Sequence, residues 1–246
     1  MVSCQPQNLL TPFLNKNVPK HVAIIMDGNR RWAKQANKRT SFGHESGAEV
    51  VEKIITRAID WGLETLTLFA FSTENWKRSR LEINFLFSIL TAHLQKMKPR
   101  MERDGVRFHT IGDLNPLPKK LKELINEVKT ATKNNTKINI VLALNYGSRD
   151  EITRVVKRLI HEVNLAGLEI KDINESLIDR YLDTSSFSDP DLIIRTSGEN
   201  RMSNFLLWQG AYSEFFTTST YWPDFTIKEF DEALLYYSNR SIRKGV

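Results

Sequence analysis

HVAIIMDGNRRWAK, which spans His21 to Lys34, is the stretch that decides the fold. Five apolar residues follow the histidine, a run that is too short for a buried helix and typical of a strand covered on both faces. The run stops at Asp27, and a basic sequence compatible with a helix begins two residues later. The stretch therefore predicts a buried strand, a tight turn and a helix, which is the beginning of an α/β fold with a parallel sheet.

The turn has the composition of an anion site. Gly28 frees the backbone to turn, and Asn29 is expected to cap the helix. The first turn of a helix carries NH groups without internal partners, so it attracts anions. Arg30 and Arg31 add two positive charges, which suit a phosphate better than a carboxylate. The alternative is that both arginines are simply solvated.

Asp27 is the unexpected member of this group, because a carboxylate repels a phosphate unless a divalent cation lies between them. Magnesium typically binds one or two carboxylates together with substrate phosphates. We therefore predict Mg²⁺ at Asp27, with a plain helix-capping role for its side chain as the alternative.

The composition is that of one globular domain. At 246 residues the chain can bury a large core, and no change of composition marks a second domain, so we expect a tail over residues 1–20 and one folded domain over 21–246. The mean hydropathy is −0.37, and no apolar run is long enough to span a bilayer. The first residues lack a secretion signal, and the one cysteine, Cys4, fits a reducing compartment. We therefore expect a soluble, cytoplasmic protein.

The net charge of +6 and the isoelectric point of about 9.3 raise the question of nucleic acid as a partner. Acidic residues are interleaved with the basic ones, and no long basic block and no zinc-finger, RNP or KH pattern is found. A pocket for small, highly anionic substrates would also explain the excess of positive charge. We expect no nucleic-acid partner, although a basic nucleic-acid binder stays as an alternative hypothesis.

Strand and helix patterns alternate along the chain. Strands are predicted over residues 21–26, 64–71, 106–111, 138–144 and 191–195, and helices over 43–60, 82–103, 117–132, 149–166 and 174–182, with a last helix after 222–225. This alternation predicts a single α/β domain, a mostly parallel central sheet with helices on both faces. In such folds ligands bind beyond the carboxyl ends of the strands, an edge that we call the rim.

The rim collects residues suited to diphosphate chemistry: Arg30, Arg31, Arg78, Arg195 and Arg201, the carboxylates Asp27 and Glu214, the donors Ser72 and Ser203, and the rings Trp32 and Trp76. Several arginines imply more than one phosphate group. No histidine has a zinc spacing, and neither a Gly-x-Ser-x-Gly elbow nor a Walker motif occurs. His44 is a candidate hydrogen-bonding or proton-handling group, with a structural role as the alternative.

The helix predicted over 82–103 carries more apolar residues than one face of a surface helix needs. Its surplus apolar side can cover core, form a subunit interface or line a ligand cavity. The residues alone thus indicate a magnesium-assisted enzyme acting on diphosphates, with unusual apolar surface beside its site.

The quoted residues resemble those of the cis-prenyltransferase family. The matching motifs run in order from His21 to Gly245 and are MDGNRRWAK, FGHESGA, LTLFAFSTENWKR, LALNYGSR, DLIIRTSGENRMSNFLLWQGAYSEFF and WPDF. The resemblance implies successive cis addition of isopentenyl diphosphate to an allylic starter such as farnesyl diphosphate. It also implies a homodimer with a hydrophobic tunnel and a long product such as undecaprenyl diphosphate, a lipid-carrier precursor for cell-wall synthesis. Peripheral membrane association for product release would be compatible with this.

The resemblance also implies a role for each matching residue. Asp27 and Glu214 would bind Mg²⁺, and Asn75 would accept a proton. The residues that would bind or flank the allylic diphosphate, or line the neighbouring loop, are Gly28, Asn29, Arg30, Arg31, Trp32, His44, Ser72, Thr73, Glu74, Trp76 and Arg78. The residues that would bind isopentenyl diphosphate are Arg195, Arg201, Met202 and Ser203. The helix from Glu82 and the strand from Ile138 would be tunnel walls, and the ending at residues 243–245 would contribute to the partner subunit's site.

Three positions depart from the family pattern. Arg30 stands where many bacterial members have glycine, Thr40 stands where arginine is common, with Arg39 adjacent, and Ser197 replaces a usual glycine. None of these removes a metal or main phosphate residue.

Two related classes fit less well. A trans-prenyltransferase would need paired Asp-Asp-x-x-Asp clusters on helices, and the sequence has none. A noncatalytic accessory subunit would be expected to lack Asp27 or the segment 195–203, and both are present. Product length and the preferred starter do not follow from the sequence.

Overall fold

The computed structural model describes residues 17–165 and 167–240. In this part of the chain, six strands form one sheet in which every pairing is parallel. The strands are β1 (His21–Ile25), β2 (Thr65–Ser72), β3 (Val106–Ile111), β4 (Ile138–Tyr146), β5 (Leu192–Arg195) and β6 (Glu214–Thr217). Their order across the sheet is β3-β4-β2-β1-β5-β6, so β1 lies inside the sheet and is fully buried.

Seven helices accompany the strands in the described residues. They are α1 (Asn29–Gln35), α2 (Thr40–Asp60), α3 (Arg80–Arg103), α4 (Lys119–Thr132), α5 (Ser148–Leu165), α6 (Glu175–Tyr181) and α7 (Ile227–Ser238). Short 3₁₀ helices cover Thr73–Lys77, Ile170–Asp172 and Trp222–Asp224. No helix among them has the length and apolar character that crossing a bilayer requires.

The two faces of the sheet are packed differently. Val22 and Ile24 of β1 contribute to the larger core, together with side chains of α2, α3, α4 and α7. Ala23 and Ile25 face the other side, because successive strand residues alternate, and there they pack with Phe205. A third cluster joins α5 to α6. The predicted α/β architecture is therefore confirmed.

Most predicted elements are confirmed, with boundaries that differ by at most three residues. The strand β6 was not predicted, and the segment 72–78, predicted as a loop, contains the 3₁₀ helix Thr73–Lys77. Of the predicted tail, residues 1–16 lie outside the described residues, while Val18 packs against the larger core. The ending 243–245 also lies outside the described residues.

Candidate active site

Four strands end at the rim and bring predicted residues together there. Asp27 follows β1 by two residues, and Ser72 ends β2 at the start of a 3₁₀ helix. Asn145 lies near the end of β4, and Arg195 ends β5. The prediction that these distant positions share one rim is confirmed, because parallel strands bring their carboxyl ends to the same edge.

The centre of the site is the pair formed by Asp27 and Arg195. Arg195 is buried, with 3% of its surface exposed, and its Nη2 donates to Oδ2 of Asp27 at 2.9 Å. Its Nη1 donates to Ser203 Oγ at 2.6 Å and to the carbonyl of Arg201. The Nε of Arg195 is buried and has no hydrogen-bond partner among the described residues. A bound anion would give that nitrogen its acceptor.

The environment of Asp27 keeps its carboxylate ionised. Burial by itself raises the pKa of Asp27, but the hydrogen bond from Arg195, the nearby charge of Arg31 and the NH of Gly28 outweigh it, so that the pKa lies below its usual value. Oδ1 accepts the NH of Gly28 at 2.7 Å. One ionised carboxylate beside a diphosphate site is a donor set that fits Mg²⁺, which takes its other ligands from phosphate and water.

A dedicated protein cage for a metal is not found. Within residues 17–165 and 167–240, no group of three or more His, Cys, Asp or Glu side chains is arranged to hold an ion. A metal at Asp27 would therefore depend on substrate oxygens.

Arg31 is held at the other side of Asp27. Its Nη2 lies 3.3 Å from Asp27 Oδ2 and donates to Ser197 Oγ at 2.5 Å, and its Nη1 donates to Glu199 at 2.8 Å. Ser197 has a φ of 78°, a left-handed conformation that favours glycine. The serine at this position thus accepts an unfavourable backbone conformation and supplies a hydroxyl that orients Arg31.

The turn before α1 is tightly enclosed. Gly28 has a φ of 105°, and a Cβ there would lie 2.7 Å from the ring of Tyr221. Gly28 is the N-cap residue of α1, and Asn29 does not cap it, since Asn29 Nδ2 donates to the carbonyl of Met26 at 3.1 Å. The prediction of an Asn29 cap is therefore wrong. The N-cap position has a left-handed backbone, which glycine adopts readily, so the cap is Gly28 and Asn29 is the first residue of α1.

Glu82, at the start of α3, is a charged centre that the sequence analysis missed. Its Oε1 lies 3.1 Å from Arg78 Nη1, 3.8 Å from Arg30 Nε and 3.8 Å from His44 Nε2. Burial, and then the charge of Arg78, lower the pKa of His44 to about 4, against the influence of Glu82. His44 is therefore neutral at neutral pH.

Two cavities at the rim share lining residues, among them Asp27, Asn29 and His44. The first has a volume of about 710 Å³ and runs from polar rim residues into an apolar interior. Its rim end is lined by Asp27, Asn29, His44, Ser72, Glu74, Asn75, Arg78, Arg195, Arg201 and Ser203. Its interior is lined by α3 side chains, including Leu90, Leu94 and Met97, and by Ile140 and Leu142 of β4. The prediction that α3 and β4 wall a hydrophobic tunnel is confirmed. The apolar side chains of α3 both cover the larger core and line the cavity.

The second cavity is basic and has a volume of about 680 Å³. It is lined by Met26, Asp27, Gly28, Asn29, Arg30, Arg31, Lys34, Lys38, Arg39, Thr40, His44 and Arg78. Arg39 thus lies beside Thr40 at the same pocket, and Lys34 and Lys38 add charges that the sequence analysis did not single out. Six cationic side chains around one carboxylate favour a polyanionic ligand.

The 3₁₀ helix Thr73–Lys77 fixes the next two candidates. Its capping box joins Ser72 to Asn75, whose Oδ1 accepts the NH of Ser72 at 3.1 Å. Trp76 Nε1 donates to Asn145 Oδ1 at 2.8 Å, and its ring packs against Phe87. The backbone NH of Ser72 therefore fixes the carboxamide of Asn75, which lines the first cavity, while Trp76 supports the helix.

Five predicted residues do not line either cavity: Trp32, Thr73, Trp76, Met202 and Glu214. Trp32 stacks on Phe42 at 5.6 Å between ring centroids, and Met202 packs beside the core cluster that contains Phe205.

Glu214 does not lie at the rim. It begins β6 and pairs with Leu192, which in turn pairs with Val22, five residues before Asp27. At about 3.3 Å per residue, this places the two carboxylates on the order of 16 Å apart along the strands. Glu214 Oε2 instead accepts from Arg240 Nε at 3.0 Å. Within one chain the structure thus does not bring Glu214 to Asp27, because Glu214 is the first residue of β6 and lies at the amino end of the sheet. A metal role for Glu214 stays a prediction.

Comparison with known proteins agrees with this site. Residues 25–245 match the prenyltransferase family model described as "Putative undecaprenyl diphosphate synthase". An isoprenyl transferase of Clostridium tetani (strain Massachusetts / E88) is 47% identical over 229 residues, covering 93% of this chain and 90% of the relative. Dehydrodolichyl diphosphate synthase 2 of Arabidopsis thaliana is 44% identical over 93% of this chain and 74% of its own length.

A solved structure shows the same fold. The crystal structure of lavandulyl diphosphate synthase from Lavandula x intermedia, in complex with dimethylallyl diphosphate, superposes with a TM-score of 0.90 at 34% identity. The match covers 93% of this chain and 99% of that one.

Proposed function

We propose a reaction on the basis that the chain belongs to the cis-prenyltransferase family, whose family model is that of undecaprenyl diphosphate synthase, and is a transferase of prenyl groups. The proposed reaction is the successive cis condensation of isopentenyl diphosphate with farnesyl diphosphate to a long polyprenyl diphosphate. The observation that carries it is the pairing of the Asp27 and Arg195 anion site with an apolar cavity of about 710 Å³.

The allylic diphosphate is assigned to the basic cavity. The backbone at Gly28 and Asn29 and the side chains of Arg30, Arg31 and Arg78 hold its oxygens, and neutral His44 donates one hydrogen bond. The prenyl chain then extends between α3 and β4, where apolar side chains remove it from water.

Isopentenyl diphosphate is assigned to Arg195, Arg201 and Ser203. These residues hold its charged end so that its double bond faces the allylic carbon inside the cavity. The allylic carbon–oxygen bond breaks and a carbon–carbon bond forms, so diphosphate leaves from the basic cavity. The proton lost from isopentenyl diphosphate leaves on the side that Asn75 lines. Exclusion of water by the apolar wall protects the cationic carbon.

Mg²⁺ is the proposed cofactor, held by Asp27 and substrate oxygens. When bound it neutralises charge that builds on the departing diphosphate. The arginines around Asp27 supply the rest of that stabilisation, and Ser197 and Glu199 keep Arg31 in place for it.

The finer features are proposals on the same basis. We infer a homodimer in the cytoplasm, with residues 243–245 contributing to the partner subunit's site, and with peripheral membrane contact for release of the lipid product. The product would be of the undecaprenyl class, a carrier precursor for cell-wall synthesis.

The experiment combines labelled isopentenyl diphosphate with farnesyl diphosphate and Mg²⁺, and sizes the products by chromatography. A ladder ending at a long polyprenyl diphosphate is expected. Dimethylallyl diphosphate is tested in parallel as starter, because the lavender enzyme was crystallised with it. Products of only two isoprene units, or no products with either starter, would contradict the proposed reaction.

A further inference from the structure

Asn204 lies where three segments of the rim meet. Its side-chain Nδ2 donates to Glu74 Oε1 at 2.9 Å, and its Oδ1 accepts the NH of Arg149 at 2.9 Å. Its backbone carbonyl accepts the NH of Ser148 at 2.8 Å. Both ends of this one carboxamide are thus used, and each is used by a different segment.

The three segments are packed closely at this point. A Cβ added to Gly147 would lie 2.7 Å from Asn204 Nδ2 and 2.7 Å from Thr73 Oγ1. There is therefore no room for a methyl group between these three segments, which are the start of the 3₁₀ helix Thr73–Lys77, the turn before α5 and Asn204. A displacement of one segment must displace its neighbours.

The backbone at this point is strained. Ser203 has a φ of 50° and Asn204 a φ of 63°. Asparagine tolerates this left-handed conformation better than serine does. Such strain persists where surrounding contacts hold it, and here they do: Ser203 Oγ accepts from Arg195 Nη1 at 2.6 Å. Ser203 thus faces the buried arginine, while Asn204 faces the 3₁₀ helix.

We propose that Asn204 is a positioning residue that couples occupancy of the anion site at Arg195 and Ser203 to the placement of the 3₁₀ helix carrying Asn75 and Trp76. An anion that accepts from the free Nε of Arg195 also attracts the Ser203 hydroxyl, which turns away from Arg195 Nη1 to donate to the anion. The strained pair of residues 203 and 204 then turns, and the hydrogen bond to Glu74 passes the movement to the helix. The coupling rests on the proposed function, in which that anion is isopentenyl diphosphate.

The hydrogen bond can be removed and restored without changing shape. Burial alone would raise the pKa of Glu74, but the hydrogen bond from Asn204 and those of neighbouring groups outweigh it and lower the pKa. Asn204→Asp therefore sets two carboxylates against each other, while its remaining oxygen still accepts the NH of Arg149. Adding Glu74→Gln supplies an amide donor and reverses the direction of the bond.

The test is a double-mutant cycle with two readouts. Asn204→Asp is expected to lower kcat by about tenfold in the wild-type background and by less than twofold in the Glu74→Gln background. The second readout is Trp76 emission during titration with isopentenyl diphosphate alone, with Trp76→Phe identifying the signal. The emission change is expected in the wild type and the double variant, and reduced in Asn204→Asp.

Asn84→Asp, at an exposed position of α3, is the matched control for the added charge. The coupling would be overturned if Asn204→Asp lowered kcat equally in both backgrounds. It would also be overturned if the Trp76 emission change in Asn204→Asp were as large as in the wild type. A wild-type protein that responds at Trp76 but forms no prenyl product would contradict the proposed function and leave the coupling standing.

Discussion

Arg195 donates from Nη2 to the Asp27 carboxylate at 2.9 Å, although 168 positions separate the two residues in the chain. The arginine is almost fully buried, so its charge depends on this carboxylate. The same carboxylate is the residue suited to a divalent cation. The Asp27 carboxylate therefore serves two purposes: it neutralises the buried charge of Arg195, and it is suited to bind the cation.

Replacing Asp27 by alanine is expected to leave a folded protein with very little turnover. The free energy of unfolding should fall by about 2 kcal/mol, because Arg195 loses a partner that is itself partly exposed. The rate of prenyl transfer should fall by about a thousandfold at saturating Mg²⁺. Urea unfolding and product formation are the measurements. Turnover close to that of the wild type would remove Asp27 from the mechanism.

Arg195→Lys is expected to raise the KM for isopentenyl diphosphate by at least tenfold, with a smaller effect on the starter. A lysine has one charged nitrogen and cannot contact Asp27, Ser203 and an anion through a planar fork. Steady-state kinetics with each substrate varied provide the measurement. Arg57→Lys is the control, since Arg57 makes a two-point contact with Asp231 between α2 and α7. Equal KM changes in both variants would contradict a specific role.

The pH profile of kcat/KM is expected to show no inflection near 6.5 from His44. Burial and the charge of Arg78 hold the pKa of His44 at about 4, so it stays neutral as pH falls from 8 to 5. Following the ring proton of His44 by NMR, with His44→Gln identifying the signal, should give a midpoint about 4. A midpoint at 6 or above would show that Glu82 controls this histidine.

Fold stability should decline as pH is lowered from 7 to 5. Burial lowers the pKa of His21 to about 4, while the unfolded chain takes up a proton near 6.5. The stabilisation from neutral His21 is thus fully present above pH 6.5 and is lost as the pH falls toward 4. Each such histidine should contribute a loss of about 2 kcal/mol by pH 5. Urea unfolding of the wild type and of His21→Gln at pH 7 and pH 5 measures this. The same change in the free energy of unfolding between the two pH values in both proteins would refute it.

Narrowing the cavity should shorten the product. Leu90→Trp places a larger ring on the α3 wall of the cavity, so fewer isoprene units fit behind the diphosphate site. Asn84→Trp adds the same ring at an exposed position of the same helix and should leave the products unchanged. Chromatographic sizing compares the two. An unaltered ladder from Leu90→Trp would mean that the prenyl chain does not lie along α3.

The buried strands could be predicted because each is a short apolar run followed by a polar turn, and the parallel arrangement then placed Asp27 near Arg195. The strand β6 was missed since its residues are only partly buried and lie among other aromatic residues. Without that strand, the sequence could not show that Glu214 lies at the amino end of the sheet.

Other parts of the site carry no sequence signal. Glu82 and Arg78 are four residues apart, but Glu82 also meets Arg30 of α1 and His44 of α2, and these two contacts arise only when α1 and α2 lie beside α3 at the rim. Asn204 makes its contacts because its backbone is left-handed, a conformation that the neighbouring sequence does not predict. Both residues look like ordinary polar positions until distant segments are brought together.

The interior position of β1 has a consequence during synthesis on the ribosome. β1 can pair with β2 early, but its other edge must wait for β5, which begins about 120 residues after the end of β2. At bacterial or eukaryotic elongation rates of about 5–20 residues per second, that edge stays open for roughly 6 to 24 seconds. The nascent chain therefore exposes an apolar strand edge for a time in which a chaperone that binds extended segments would find it.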